Sequence, residues 1–168
     1  MKGAFNALDV AGLVALALCV LVGLRRGREA EGVAVVLSLA VYIGACWSAP
    51  WLAPWVPVGT AAGALNLAAA LAGALVVGAV GGWMLGRLPL LLVRRRGGAG
   101  GGFSHAGAAA FGALRAWVLG LMVATVVALT PAAQSPLWQG STLARWLEAG
   151  VRGMRPLLPP ELARHLSR

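Results

Sequence analysis

The sequence predicts an all-α integral membrane protein with four transmembrane helices followed by a C-terminal amphipathic helix, and three observations carry that prediction. Of 168 residues, 60% are hydrophobic and 11% charged, against about 45–50% apolar and about 25% charged in soluble domains. The apolar residues fall in four long runs, each near or above the roughly 20 residues that cross a hydrocarbon core of about 30 Å. The basic residues behind the net charge of +9 gather beside the ends of those runs, a pattern of membrane topology rather than of nucleic-acid binding. With one Asp, four Glu, two His and two Cys in the chain, acid–base and metal chemistry have few candidate groups. An enzyme is not expected, and neither is a metal or cofactor.

The first span covers about 8–24, with Asp9 at its start and Arg25-Arg26 at its end. Its positives follow the apolar run and no small-x-small site precedes Arg25, so it is expected to stay in the mature protein rather than leave as a signal peptide. The second, about 32–49, begins after Glu29 and Glu31 and is expected to stop at Pro50, the first of three prolines with Pro54 and Pro57. The third, about 60–86, is closed by Arg87 and Pro89, and the fourth, about 106–130, stops before Pro131. Residues 1–133 thus form a four-span domain and 134–168 a tail.

Arg25, Arg26 and Arg28 lie between spans one and two, and Arg87, Arg94, Arg95 and Arg96 between spans three and four; the loop from Pro50 to Gly59 carries no charge. That bias places both Arg-rich loops in the cytoplasm and both termini outside. It obliges the tail to carry Arg145, Arg152, Arg155, Arg164 and Arg168 across.

Within a bilayer, small residues mark where helices approach closely. Ala70, Ala74, Gly78, Gly82 and Gly86 recur every four residues in span three, as do Ala108, Gly112, Ala116, Gly120, Ala124 and Ala128 in span four. Two consecutive stripes predict that these spans pack on each other as an antiparallel hairpin, with a homo-oligomeric contact as the rival use. Arg115 lies inside the fourth run, where a charge costs at least about 2.5–3.5 kcal/mol and demands a partner. On the predicted topology that partner is Glu31 or Glu29, and Asp9 is too distant. The alternative is that Arg115 snorkels and the span begins at Ala116.

Trp47, Trp51 and Trp55 recur every four residues beside the uncharged loop and suit membrane-interface anchors. The run Gly97 to Gly102 lacks the Lys-Ser/Thr of a phosphate loop and reads as a linker. Cys19 and Cys46 fall within spans and read as small apolar residues, with neither a disulfide nor a metal site alongside His105 or His165 expected. In the tail, Leu143, Trp146, Leu147, Val151 and Met154 follow helical spacing, with Arg145, Glu148, Arg152 and Arg155 mainly opposite. Such a helix lies on the membrane or covers the outer face of the bundle, or else docks a partner protein. Pro156 ends it, and Pro159-Pro160-Glu161 opens a last helical turn through Leu166.

The order of these signals resembles the colicin V production protein (CvpA) family of bacterial inner-membrane proteins. The resemblance rests on Phe5-Asn6-Ala7-Leu8-Asp9, on Arg26-Gly27 followed by Glu31, on Phe111-Gly112-Ala113-Leu114-Arg115, and on Leu137-Trp138-Gln139-Gly140-Ser141-Thr142-Leu143. This chain has Ser104-His105 where members often have Asp-Arg, and Ala116 where they often have Gly. The resemblance implies a multi-pass protein needed for colicin V production or export, or for general envelope homeostasis, in a non-enzymatic accessory role. Arg26, Gly27, Glu31 and Arg115 form the expected polar cluster, and the expected partners are the bilayer and a second copy or an envelope or export protein, with no nucleic acid. A small oligomeric channel or transporter lined by Asp9, Asn66 and Arg115 is the competing expectation.

Overall fold

In hydrocarbon an apolar run must satisfy its own backbone N–H and C=O groups, which a helix does internally. The computed structural model describes residues 6–26, 28–56, 58, 63–94 and 103–165. Its long helices are α1 (Ala7–Arg26), α2 (Arg28–Leu52), α3 (Ala64–Arg94) and α4 (Phe103–Ala128). Each contains a stretch long and apolar enough to cross a membrane. The short helices α5 (Pro136–Gln139), α6 (Thr142–Gly153) and α7 (Pro160–His165) make up most of the tail. No strand occurs among the described residues.

Two predicted helix ends move. Pro50 does not stop α2, which runs on to Leu52 and passes into a 3-10 turn at Ala53–Trp55 that holds Pro54. A proline so close to a helix end removes one backbone bond from the last turn, and the helix ends two residues later. Likewise α3 continues through Arg87 and Pro89 to Arg94, and residues 60–62 of the third predicted span lie outside the described residues.

The helices form a layer in the order α1, α4, α2, α3, with little contact between α3 and α4. The hairpin predicted for spans three and four is therefore corrected: the stripes face other neighbours. On α3, a Cβ at Gly78 would stand 2.7 Å from Val41 Cγ1, and one at Gly82 would stand 3.5 Å from Val41 Cγ2, so this stripe receives α2. On α4, a Cβ at Gly112 would stand 2.7 Å from the Cys19 carbonyl oxygen. One at Gly23 would stand 2.7 Å from that of Ala108. This reciprocal notch lets the α1 and α4 backbones touch. Small residues announced close approach correctly but carried no label for the partner. The surroundings of Gly86 lie outside the described residues.

Between α2 and α4 the core is closed by a buried polar contact, Tyr42 Oη to Thr125 Oγ1 at 2.7 Å, while the Thr125 hydroxyl lies 2.7 Å from the Leu121 carbonyl. Cys46, Ala49, Leu71 and Ala124 pack around it, and Trp138, Leu147, Val151 and Leu162 of the tail belong to the same core. Val14 and Leu18 on α1 and Val76 and Val77 on α3 point away from the bundle, as side chains facing lipid do.

Candidate functional site

Two buried carboxylates sit at opposite ends of the layer. Asp9, in the first turn of α1, is 4% exposed. Its Oδ2 accepts from the Asn6 backbone N–H at 3.1 Å, closing the first turn of its own helix as a carboxylate at that position does. Its Oδ1 turns outward and accepts from Ser141 Oγ at 2.7 Å and from the Leu143 N–H at 2.8 Å. Ser141 is the N-cap of α6, and its hydroxyl oxygen also accepts from the Ala144 N–H at 3.1 Å. An anion is thus held against the free N–H groups at the start of a helix, where the helix dipole favours it. Asn6 Nδ2 adds a bond of 2.6 Å to the Leu137 carbonyl. Trp138 Nε1 donates to Glu148 Oε1 at 2.7 Å, fastening α5 to α6.

Beyond this cap, α6 is seated by glycines. A Cβ at Gly12 of α1 would collide with Leu143, and one at Gly120 of α4 would stand 2.8 Å from Leu147 Cδ2. At Gly150 of α6 it would stand 2.7 Å from Leu121 Cδ2 and 3.3 Å from Trp117 Cζ2. These contacts lie at one level. Gly23 packs against Ala108 and Gly112, and α1 and α4 run antiparallel, so Gly12, eleven positions back, comes level with residues 119–123. Since α6 meets α1 at Gly12 and α4 at Gly120 and Leu121, it lies across the two helices. Gly120, expected to serve a neighbouring span, is the socket for Leu147.

The second carboxylate, Glu31, is fully buried near the start of α2 and pairs with Arg115 of α4: Arg115 Nη1 to Glu31 Oε1 is 3.2 Å. Arg115 is 27% exposed. Unlike Asp9, this centre is half satisfied, since Glu31 Oε2 and Arg115 Nε have no hydrogen-bond partner among the described residues. The pairing places Arg115 within a continuous helix, so α4 does not begin at Ala116.

The predicted four-member cluster is smaller than expected. Arg26 is exposed in the last turn of α1 and forms no ion pair among the described residues. Gly27 and the side chain of Glu29 lie outside them. Asn66 is buried on α3, and its Oδ1 has no hydrogen-bond partner among the described residues; Trp47, Trp51 and Trp55 are exposed at the far end of α2. Cys19 and Cys46 are both free.

The sequence led us to expect a tail helix that lies on the membrane or covers the bundle, but not the residues that seat α6. Two signals pointed to them: Ser141 before an amphipathic run is a preferred N-cap, and an acid at the start of a span needs a partner.

Comparison with curated proteins and with solved structures returned no match. The family model described as Colicin V production protein matches residues 8–152, which run from the start of α1, through all four long helices, to Arg152 near the end of α6. Both carboxylates, Ser141 and the glycine sockets fall inside that match. Covering most of the 168 residues, it shows that the chain belongs to the colicin V production protein family.

Proposed function

We propose that this chain is a non-enzymatic accessory of the bacterial inner membrane, supporting colicin V production or export, or envelope homeostasis, through contacts with other membrane or envelope proteins. Family membership supplies the direction. The observation that carries the reading is the packed tail: α5 to α7 send Trp138, Leu147, Val151 and Leu162 into the core and are bonded to Asp9 of α1, so the tail presents a folded outer surface. The non-catalytic reading is supported by the engagement of the two buried acids in separate structural contacts, Asp9 as a helix cap and Glu31 as the partner of Arg115.

The bond between α1 and the tail keeps the N-terminal end of α1 beside the start of α6. Arg25 and Arg26 stand at the other end of α1, and by the bias of positive charge that end is cytoplasmic, leaving both termini periplasmic. Trp47, Trp51 and Trp55 then anchor the periplasmic end of α2. A second reading, a small oligomeric channel or transporter, is favoured by polar atoms of Glu31 and Asn66 that have no hydrogen-bond partner among the described residues.

In-membrane photo-crosslinking from the exposed residues Leu137 of α5 and Leu157 after α6, combined with solute flux in proteoliposomes, separates the two. Adducts with another envelope protein and no flux are expected. Flux with self-adducts alone would replace the accessory role by the channel.

A further inference from the structure

We infer that the outward face of α6 is a seat for the phosphate headgroup of an anionic phospholipid. The inward face of the helix is already used: Ala144, Leu147 and Val151 are buried against the bundle. Thr142, Arg145, Trp146, Ala149, Arg152 and Gly153 are exposed, and their spacing puts all six on one stripe. Arg145 and Arg152, seven residues apart, sit two turns and about 10 Å from each other on that stripe, with the small Ala149 between them. Their bonds within the structure are to their own helix, Arg145 Nη2 to Thr142 Oγ1 at 3.3 Å and Arg152 Nε to the Glu148 carbonyl at 3.4 Å. Those contacts leave most of the fork of N–H donors on each guanidinium directed outward. Glu148, the acid between them, is half-buried and receives the Trp138 indole instead.

Position selects the occupant. Because α6 lies across α1 and α4, it lies roughly in the plane of the membrane that those helices cross. Gly12 is five positions, or about 8 Å, from the start of α1, the depth at which amphipathic helices settle between headgroups and acyl chains. At that depth the neighbours of the stripe are lipids. Trp146, 66% exposed, suits the interface, and two arginines that form no ion pair among the described residues complement a phosphodiester.

The test places the photo-crosslinker p-benzoylphenylalanine at Ala149 in the full-length protein, in bilayers of phosphatidylcholine with a minor share of phosphatidylglycerol. The same probe at the exposed, uncharged position Val77 of α3 reports the bulk mixture. Adducts at Ala149 are expected to be enriched in phosphatidylglycerol about fivefold or more over those at Val77, the preference one to two interfacial arginines confer. Arg145→Gln with Arg152→Gln should return the ratio to that of Val77, while Arg25→Gln with Arg26→Gln should leave it unchanged. Equal adduct ratios at the two positions, or enrichment that persists in the α6 double variant, would overturn the assignment. Adducts with a protein in native membranes, in place of lipid, would reassign the face to a partner.

Discussion

Asp9 and Glu31 are both acids in the first turns of apolar helices, and both are buried, yet the protein treats them differently. Asp9 collects three hydrogen bonds from two separate parts of the chain, while Glu31 has one bond to Arg115 and an oxygen without a partner among the described residues. The donors to Asp9 are backbone N–H groups and a hydroxyl fixed by helix ends. The donor to Glu31 is a long side chain that is itself partly exposed. A saturated carboxylate joins elements, and an unsaturated one keeps unused capacity for interaction inside the membrane.

The largest effect is expected from emptying the saturated site. Asp9→Ala strips the partner from Ser141, Leu143 and Asn6 at once, and opening of α6 is expected to rise roughly a hundredfold, as the loss of several charge-assisted bonds implies. The rate of thiol labelling at a cysteine replacing the buried Leu147 reads that opening. Asp9→Asn keeps an acceptor for the cap and should fall between the variant and the parent.

Next in size is the unsaturated pair. Arg115→Met leaves Glu31 buried and alone and should lower stability in detergent by about 3 kcal/mol, the low end for a broken buried pair because Arg115 is partly exposed. Adding Glu31→Gln should recover much of that loss. A double variant no more stable than the single one would show that Glu31 does not depend on its partner.

Sockets come third: Gly120→Val drives a methyl group into Leu147 and is expected to cost about 2 kcal/mol by overpacking, with faster labelling of the tail. Gly82→Ala, whose new methyl group meets Val41 at an ordinary distance, should be near neutral. Tyr42→Phe is the smallest of the destabilising changes, about 1 kcal/mol, since the Thr125 hydroxyl keeps its contact with the Leu121 carbonyl. Thermal melting in detergent checks all three.

The four long helices were legible because the bilayer fixes their length and polarity, and Arg115 was legible because a charge at depth has few reasons to be there. Helix pairing was not. Gly78 and Gly112 lie on stripes of identical spacing, and only three-dimensional packing decides that one receives Val41 and the other the backbone of Cys19 and Val20. Pro50 and Pro89 misplaced two helix ends, because a proline disturbs only local bonds and the apolar surroundings still favour helix on both sides of it. The cap on α6 joins residues more than 130 positions apart, and no local pattern encodes such a contact. Its two halves, an acid opening α1 and a serine opening α6, stand in the sequence, but nothing local joins one to the other.

That α6 is locked across α1 and α4 by Asp9 is tested most directly by a cysteine pair replacing Gly12 and Leu143, in a chain whose Cys19 and Cys46 are changed to Ala. Oxidation in native membranes should give a nearly complete intramolecular disulfide, and Asp9→Ala should reduce it sharply. Absence of the crosslink while Asp9 is intact, or equal crosslinking without it, would contradict the account.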